Sequence, residues 1–179
     1  MDALTAYLPP AKGYLPYYML GLSIIAVGNS LQNYLTLHYS RRLYNGQFTP
    51  ATNLPPKSAS FDPADSPSKL QPVSPSSPSS SSSTKEGRVQ DQVTPLAARL
   101  FGTYTLISAI VRIYASYHLA VAPVYHLALW TYVVALLHFG SEFAVYKTAR
   151  LGAPVLFPFF FASVGIAWMV SQYGFYVEA

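Results

Sequence analysis

Cysteine is absent from this 179-residue chain, and charged residues make up only 10% of it. Without cysteine the chain has no disulfide, no thiolate chemistry and no cysteine-bound zinc or iron–sulfur cluster. Soluble domains usually carry about a quarter charged residues, so this chain is poor in the groups that keep a protein surface hydrated. It also contains no G-x-G-x-x-G, P-loop or G-x-S-x-G pattern, which are the patterns of nucleotide sites and serine hydrolases.

Hydrophobic residues, by contrast, make up 51% of the chain and gather in four long runs. The runs cover about residues 15–37, 97–117, 124–145 and 154–174. About 20 apolar residues in a helix match the roughly 30 Å hydrocarbon core of a bilayer. Backbone groups in lipid must also find partners within the protein. The sequence therefore predicts an all-α fold, an integral membrane bundle of four transmembrane helices.

The segment between the first two runs has a different composition. Residues 46–93 are dominated by Ser and Pro, as in SPSKLQPVSPSSPSSSSST, and bury too little apolar surface to offset the entropy of ordering. We predict a disordered linker that separates residues 1–45, with the first transmembrane helix, from residues 94–179, with the other three. Within it Ser66, Ser74 and Ser77 each precede a proline and are candidate phosphosites, with an unmodified spacer as the alternative.

The distribution of Lys and Arg predicts the topology. Basic residues concentrate between the first and second runs and, as Lys147 and Arg150, between the third and fourth, whereas the loop between the second and third runs has none. The positive-inside rule then places the linker in the cytoplasm and both termini on the opposite side. The net charge of +4 forms no basic face with spaced aromatics, so no nucleic-acid partner is predicted.

Polar residues inside the first two runs follow helical spacing. Asn29, Gln32, Asn33 and Thr36 lie along one face of the first helix, and because amides are costly in lipid this stripe is predicted to form interhelical hydrogen bonds. Binding of a lipid headgroup or substrate is the alternative. In the second helix, Arg112 is interpreted as a snorkelling or structurally hydrogen-bonded charge, with direct contact to a partner or ligand as the alternative.

The short loop near residue 120 predicts that the second and third runs form an antiparallel hairpin. Counting outward from that loop places Arg99 opposite Glu142 and Thr103 opposite His138, so that four polar groups form one cluster. We favour a structural ion pair that keeps Glu142 ionised, with contact to a partner protein as the alternative. The same count puts Arg112 far from this cluster, at about the level of Leu129.

Catalysis by this cluster is the weaker interpretation. A His138–Glu142 pair can in principle move protons, but the chain lacks the H-x-x-H-H pattern of membrane di-iron oxygenases. His118 and His126 flank the loop at the other end of the hairpin, too far away to complete a metal site. We therefore predict no metal and no other cofactor. Gly102 and Gly140 are predicted instead to allow close helix approach.

Three stretches carry a family resemblance: NSLQNY in the first run, LFGTYTLISAIVRIYASYHL in the second and PVYHLALWTYVVALLHFGSEF in the third. They resemble the ergosterol biosynthetic protein 28 family of small membrane scaffolds. The likeness covers about residues 14–44 and 95–173, and the second and third runs are its most specific part. The Ser/Pro-rich insertion departs from the compact members of the family, which leaves the role of the linker open.

The resemblance implies a multi-pass endoplasmic-reticulum membrane protein that is not itself an enzyme. In that membrane the side that the positive-inside rule predicts for the termini is the lumen. It implies a scaffold that tethers three enzymes of ergosterol biosynthesis: sterol C-4 methyl oxidase, C-4 decarboxylating sterol dehydrogenase and 3-keto sterol reductase. Tethering raises the effective concentration of each intermediate, to about millimolar for short links. Membrane lipid is a further expected contact, and self-association is left open.

Two other functions compete with the scaffold. One is a membrane-embedded sterol or lipid enzyme that uses His138 and Glu142, which predicts turnover by the purified chain. The other is a small transporter built on the polar stripes, which predicts solute flux in liposomes. The absence of paired Gly/Pro-broken helices counts against the transporter.

Overall fold

The computed structural model describes residues 7–10, 12–45, 47–50, 70–72, 90–150 and 152–177. Within these residues the helices are α1 (Leu15–Leu35), α2 (His38–Leu43), α3 (Pro95–Tyr117), α4 (Ala122–Ala144), α5 (Ala153–Ser171) and α6 (Tyr173–Tyr176). The four long helices begin and end within three residues of the four predicted runs. The predicted order of helical elements is therefore confirmed.

Prolines mark where the long helices begin. Each of the four has a proline at its first or second position: Pro16, Pro95, Pro123 and Pro154. Proline is tolerated there because the first helical N–H groups have no partner within the helix. At α3 the cap is completed by Thr94, whose hydroxyl accepts a hydrogen bond from the backbone N–H of Ala97 at 3.1 Å.

Three of the described helices, α3, α4 and α5, are long and apolar enough to cross a membrane. For these three, the predicted helix with the length and apolarity of a transmembrane span is confirmed. Helix α1 has 21 residues, long enough to cross, but its amides at Asn29, Gln32 and Asn33 lower its hydropathy. Its crossing therefore stays a prediction.

The helices pack in the sequence α1–α3–α4–α5, with the closest packing between α1 and α3 and between α4 and α5. We call the end where α3 turns into α4 the hairpin end, and the opposite end, where α1 stops and α3 begins, the linker end. Near the hairpin end two tyrosines connect the first helix to the last two. The hydroxyl of Tyr18 in α1 donates to the carbonyl of Phe161 in α5 at 2.6 Å, and the hydroxyl of Tyr176 in α6 accepts from the N–H of Leu15 in α1 at 3.2 Å.

Glycines set two of the helix crossings. A Cβ atom on Gly102 of α3 would lie 3.2 Å from the carbonyl oxygen of Ser30 in α1, so the predicted close approach at Gly102 is confirmed. The same prediction for Gly140 is wrong, since nothing lies within 4 Å of its Cβ position. A second close approach, not predicted from the sequence, lies at Gly165 of α5, where a Cβ atom would be 3.1 Å from the ring of Tyr132 in α4.

The described parts of the predicted linker include three short strands, β1 (Gln47–Pro50), β2 (Leu70–Pro72) and β3 (Gln90–Asp91). They form an antiparallel sheet in the order β2–β1–β3, with Phe48 opposite Pro72 on one side and Gln90 on the other. Disorder throughout 46–93 is therefore not confirmed for these strands, whose backbone N–H and C=O groups pair from strand to strand. The candidate phosphosites Ser66, Ser74 and Ser77 lie outside the described residues.

Candidate functional site at the linker end of the bundle

Helix α2 turns the chain back over the linker end and brings Tyr44 to His138. The Tyr44 hydroxyl lies 2.7 Å from Nε2 of His138, a residue of α4. Aromatic rings surround the pair: Phe101 meets Tyr44 edge-on at a centroid distance of 5.8 Å, and Phe139 meets His138 edge-on at 5.1 Å. Burial, with a smaller effect from the negative charge of Glu142, raises the pKa of Tyr44 well above its usual value of 10.0, so the phenol keeps its proton.

Glu142 anchors the connection between α4 and α5. Its carboxylate accepts a hydrogen bond from the hydroxyl of Thr148. Its backbone carbonyl accepts from the N–H of Thr148 at 2.9 Å and from the N–H of Ala149 at 3.1 Å. One residue thus holds three groups of the segment that follows its own helix. The carboxylate of Glu142 therefore serves the structure of this loop.

The loop that Glu142 anchors is also bonded to the segment after α2. Tyr44 and Ala149 form an isolated antiparallel bridge, and the N–H of Arg150 donates to the carbonyl of Leu43 at 2.9 Å. The guanidinium of Arg150 donates from Nε to Oδ1 of Asn45 at 3.0 Å. We call this contact between residues 43–45 and 148–150 the clamp. It joins the segment after α2 to the connection between α4 and α5.

The predicted cluster of Arg99, Thr103, His138 and Glu142 does not form as one group. Arg99 is exposed and makes no ion pair with Glu142, so that prediction is wrong. Thr103 instead lies 2.6 Å from the hydroxyl of Tyr34 in α1 and donates to the carbonyl of Arg99 at 2.9 Å. The physical reason is the rotation of α3 about its own axis. Counting along the hairpin predicts how deep a residue lies along the bundle, but α3 presents Thr103 to α1 and not to α4.

The polar stripe of α1 divides into two parts. Asn33 is buried, accepts from the hydroxyl of Ser40 at 2.7 Å through Oδ1, and donates to the carbonyl of Asn29 at 2.8 Å. Gln32 and Thr36 are exposed, and the Thr36 hydroxyl bonds only to the carbonyl of Gln32 at 3.3 Å. Asn33 therefore fastens α2 to α1, while the outer half of the stripe does not face another described helix.

Arg112 is buried within the bundle. Its Nε donates to the hydroxyl of Thr131 at 2.8 Å, one Nη donates to the carbonyl of Thr131 at 3.2 Å, and the guanidinium carbon lies 4.2 Å from the centre of the Tyr132 ring. The structural hydrogen bond considered in the sequence analysis is therefore present. Its partner lies two residues beyond Leu129, the level obtained by counting. No group of three or more His, Asp or Glu side chains gathers among the residues that the structure describes.

Sequence reasoning missed four residues of this end: Ser30, Ser40, Tyr44 and Thr148. Ser30 donates from its hydroxyl to the carbonyl of Gly102 at 2.7 Å, which fixes the α1–α3 crossing. Ser30 adjoins the amide stripe and its small side chain suits a close crossing. For Tyr44 and Thr148 no signal was available, because both lie outside the apolar runs.

Helices of this length and composition, joined by internal polar contacts, define the class: a small multi-helix membrane protein. The family described as "Erg28 like protein" matches residues 15–167, and the chain belongs to this family. It is 52% identical over 178 residues to "Ergosterol biosynthetic protein 28" of Gibberella zeae, covering 99% of each chain.

More distant relatives carry related names. The protein of the same name in Candida albicans is 30% identical over 166 residues, covering 93% of this chain and 90% of the relative. "Ergosterol biosynthetic protein 28 homolog" of Homo sapiens is 41% identical over 78 residues, covering 44% of this chain and 56% of the relative. No solved structure gives a significant match.

Proposed function

We propose that this chain acts in ergosterol biosynthesis as a non-catalytic membrane scaffold of the endoplasmic reticulum. It holds together the sterol C-4 methyl oxidase, the C-4 decarboxylating sterol dehydrogenase and the 3-keto sterol reductase. The observation that carries the proposal is the full-length match at 52% identity to a protein named for ergosterol biosynthesis.

The use of polar groups at the linker end supports a scaffold over a catalyst. The Tyr44–His138, Glu142–Thr148 and Asn45–Arg150 contacts each join two parts of the chain to one another. A catalytic group must instead reach a substrate atom at hydrogen-bond distance. These side chains make their hydrogen bonds to the chain's own groups, and the clamp ties the segment after α2 to the connection between α4 and α5.

The outer faces of the helices offer surface for other membrane proteins. Each long helix exposes large apolar side chains, among them Ile24 of α1, Ile107 of α3, Trp130 of α4 and Phe160 of α5. In lipid such side chains pack equally well against acyl chains or against other helices. The exposed part of the α1 stripe, Gln32 and Thr36, adds hydrogen-bonding groups that favour a protein neighbour.

Affinity purification of the full chain in mild detergent, followed by mass spectrometry, tests the scaffold. The expected result is recovery of all three sterol C-4 demethylation enzymes, together with no conversion of a sterol by the purified chain alone. Turnover by the isolated chain that is lost in His138→Ala but retained in Arg99→Ala refutes the scaffold and supports the membrane-embedded enzyme.

The proposed orientation has its own test. With the linker in the cytoplasm and both termini in the lumen, an N-glycosylation acceptor added after residue 179 is modified and one inserted in the linker is not. The reverse pattern refutes this topology and leaves the tethering proposal to the purification experiment.

A further inference from the structure

A partly enclosed cavity of about 120 Å³ lies inside the bundle, between α1, α3, α4 and α5. Most of its lining is apolar and aromatic, with Phe101, Phe139 and Phe161 among the residues. About 10–15 Å³ of such space already holds one water molecule, so the cavity has room for a carboxyl group and a few carbon atoms. It is too small to enclose a whole lipid.

The cavity contains a buried cation with unused donors. Arg112 lines the cavity and is only 9% exposed. Of the five N–H donors of an arginine, two bond to Thr131, and the other three have no partner among the described residues. The one acidic residue of the four long helices is Glu142, which is bonded to Thr148 at the linker end. Among the residues that the structure describes, no anion therefore lies beside Arg112.

Two further hydroxyl groups at the cavity lack an acceptor. The hydroxyl of Tyr132 is buried without a hydrogen-bond partner, and Tyr132 is 1% exposed. Tyr104 lies near Ser108, but its buried hydroxyl makes no hydrogen bond of normal geometry. Both tyrosines line the cavity with Arg112. Leaving buried hydrogen-bond donors unpaired costs free energy. One anion with several lone pairs can accept from the Arg112 guanidinium and from both tyrosine hydroxyls.

The cavity has an apolar rim. Ile25 of α1 and Phe157 of α5 both line it and are more than half exposed, at 52% and 54%. The two helices meet near the hairpin end through Tyr18 and Phe161, but they are not packed along their length. An apolar opening between α1 and α5 therefore leads sideways from the cavity to the outside of the bundle.

We propose that this cavity binds the carboxylate of a membrane-soluble acid, with Arg112 as its counter-ion and Tyr104 and Tyr132 as hydroxyl donors. Two sources share this chemistry: a fatty acid and a sterol carboxylate. The second rests on the proposed function, since a C-4 decarboxylating dehydrogenase consumes a sterol that carries a carboxylate at C-4. A scaffold that holds this intermediate keeps it beside the enzyme that consumes it.

The test is equilibrium binding to the full chain in lipid nanodiscs, with empty nanodiscs subtracted. The probes are a sterol 4-carboxylate, its uncharged methyl ester and oleic acid. The variants are Arg112→Gln, Arg112→Lys and, as matched control, Arg99→Gln, which removes an exposed charge from the same helix. Ala26→Phe, which fills the cavity from α1 and leaves Arg112 in place, tests the site independently if Arg112→Gln fails to fold.

We expect the unsubstituted chain to bind the sterol 4-carboxylate and to bind its methyl ester at least about tenfold more weakly. Arg112→Gln should bind the carboxylate at least about tenfold more weakly than the unsubstituted chain, and Arg99→Gln should bind it with unchanged affinity. Arg112→Lys retains part of the affinity. Equal binding of acid and ester, or unchanged binding in both Arg112→Gln and Ala26→Phe, overturns the site. Binding of oleic acid without the sterol carboxylate supports the site and overturns its assignment to the sterol. Affinity purification of Arg112→Gln, carried out separately, measures recovery of the three enzymes. Recovery of the enzymes tests the proposed tethering function, and the nanodisc binding experiment tests the cavity.

Discussion

Measurements on Glu142 variants can distinguish the observed bond from Thr148 to Glu142 from the Glu142–Arg99 ion pair predicted from the sequence. Removing the carboxylate in Glu142→Ala leaves the Thr148 hydroxyl with only its longer bond, 3.3 Å, to the backbone carbonyl of residue 142, and so loosens the clamp. A hydrogen bond to a charged group contributes about 1.5–3 kcal/mol. Glu142 is half-buried and its backbone carbonyl bonds remain, so we expect a loss of about 1–2 kcal/mol of unfolding free energy.

Thermal unfolding of the purified chain in detergent measures this effect. For a chain of this size 1 kcal/mol shifts the midpoint by about 2–4 °C, so Glu142→Ala lowers it by about 2–8 °C. Thr148→Val removes the hydroxyl and preserves the shape of the side chain. We expect a similar loss from it, and a double variant that loses about 1 kcal/mol less than the sum of the two.

The matched cycle uses Arg99→Ala, which is exposed and makes no contact with Glu142. Its effect and that of Glu142→Ala should add within about 0.3–0.5 kcal/mol. Coupling of Glu142 to Arg99 in place of Thr148 would contradict the Glu142–Thr148 bond and restore the ion pair predicted from the sequence. Glu142→Gln can still accept from Thr148, so it should lose less stability than Glu142→Ala.

Other perturbations test the crossings and the tyrosine pair. Gly102→Ala places a methyl group 3.2 Å from α1 and should lower the free energy of unfolding by about 1–3 kcal/mol. Gly140→Ala has open space around the new methyl group and should leave the free energy of unfolding unchanged or raise it by up to about 1 kcal/mol. The midpoints of thermal unfolding of the two variants measure this difference. Equal effects would contradict the close crossing. Tyr44→Phe removes the bond to His138 and should cost about 1 kcal/mol at neutral pH, measured by chemical unfolding. Because the pKa of Tyr44 is raised on folding, its contribution to the free energy of unfolding is complete below pH 10 and falls as the pH rises above 10. Tyr44→Phe should therefore lose less stability than the unsubstituted chain above pH 10. An unchanged pH profile of stability would contradict the burial of the phenol.

Depth along the membrane axis could be read from the sequence. The hairpin count pairs residues at equal depth, and the contacts Phe101–Phe139, Tyr104–His138 and Arg112–Thr131 all lie within two positions of it. The reason is geometric: two antiparallel helices joined by a short loop advance by the same 1.5 Å per residue. Their relative depth then depends only on where the loop lies.

Lateral neighbours were decided by the tertiary structure. Arg99 and Glu142 have about the same predicted depth, yet α3 presents Thr103 to Tyr34, and Glu142 bonds to the loop after its own helix. Rotation of a helix about its axis depends on how side chains fit at each crossing, as at Gly102 and Gly165, and hydropathy carries no record of that fit.

The positions of the long helices, and the suitability of at least three of them for a bilayer, could be predicted from the amino-acid sequence, because length and apolarity are properties of each segment alone. The clamp and the cavity around Arg112 could not be predicted in this way. Both depend on residues far apart in the chain, and their meeting is fixed by the packing of all four long helices together.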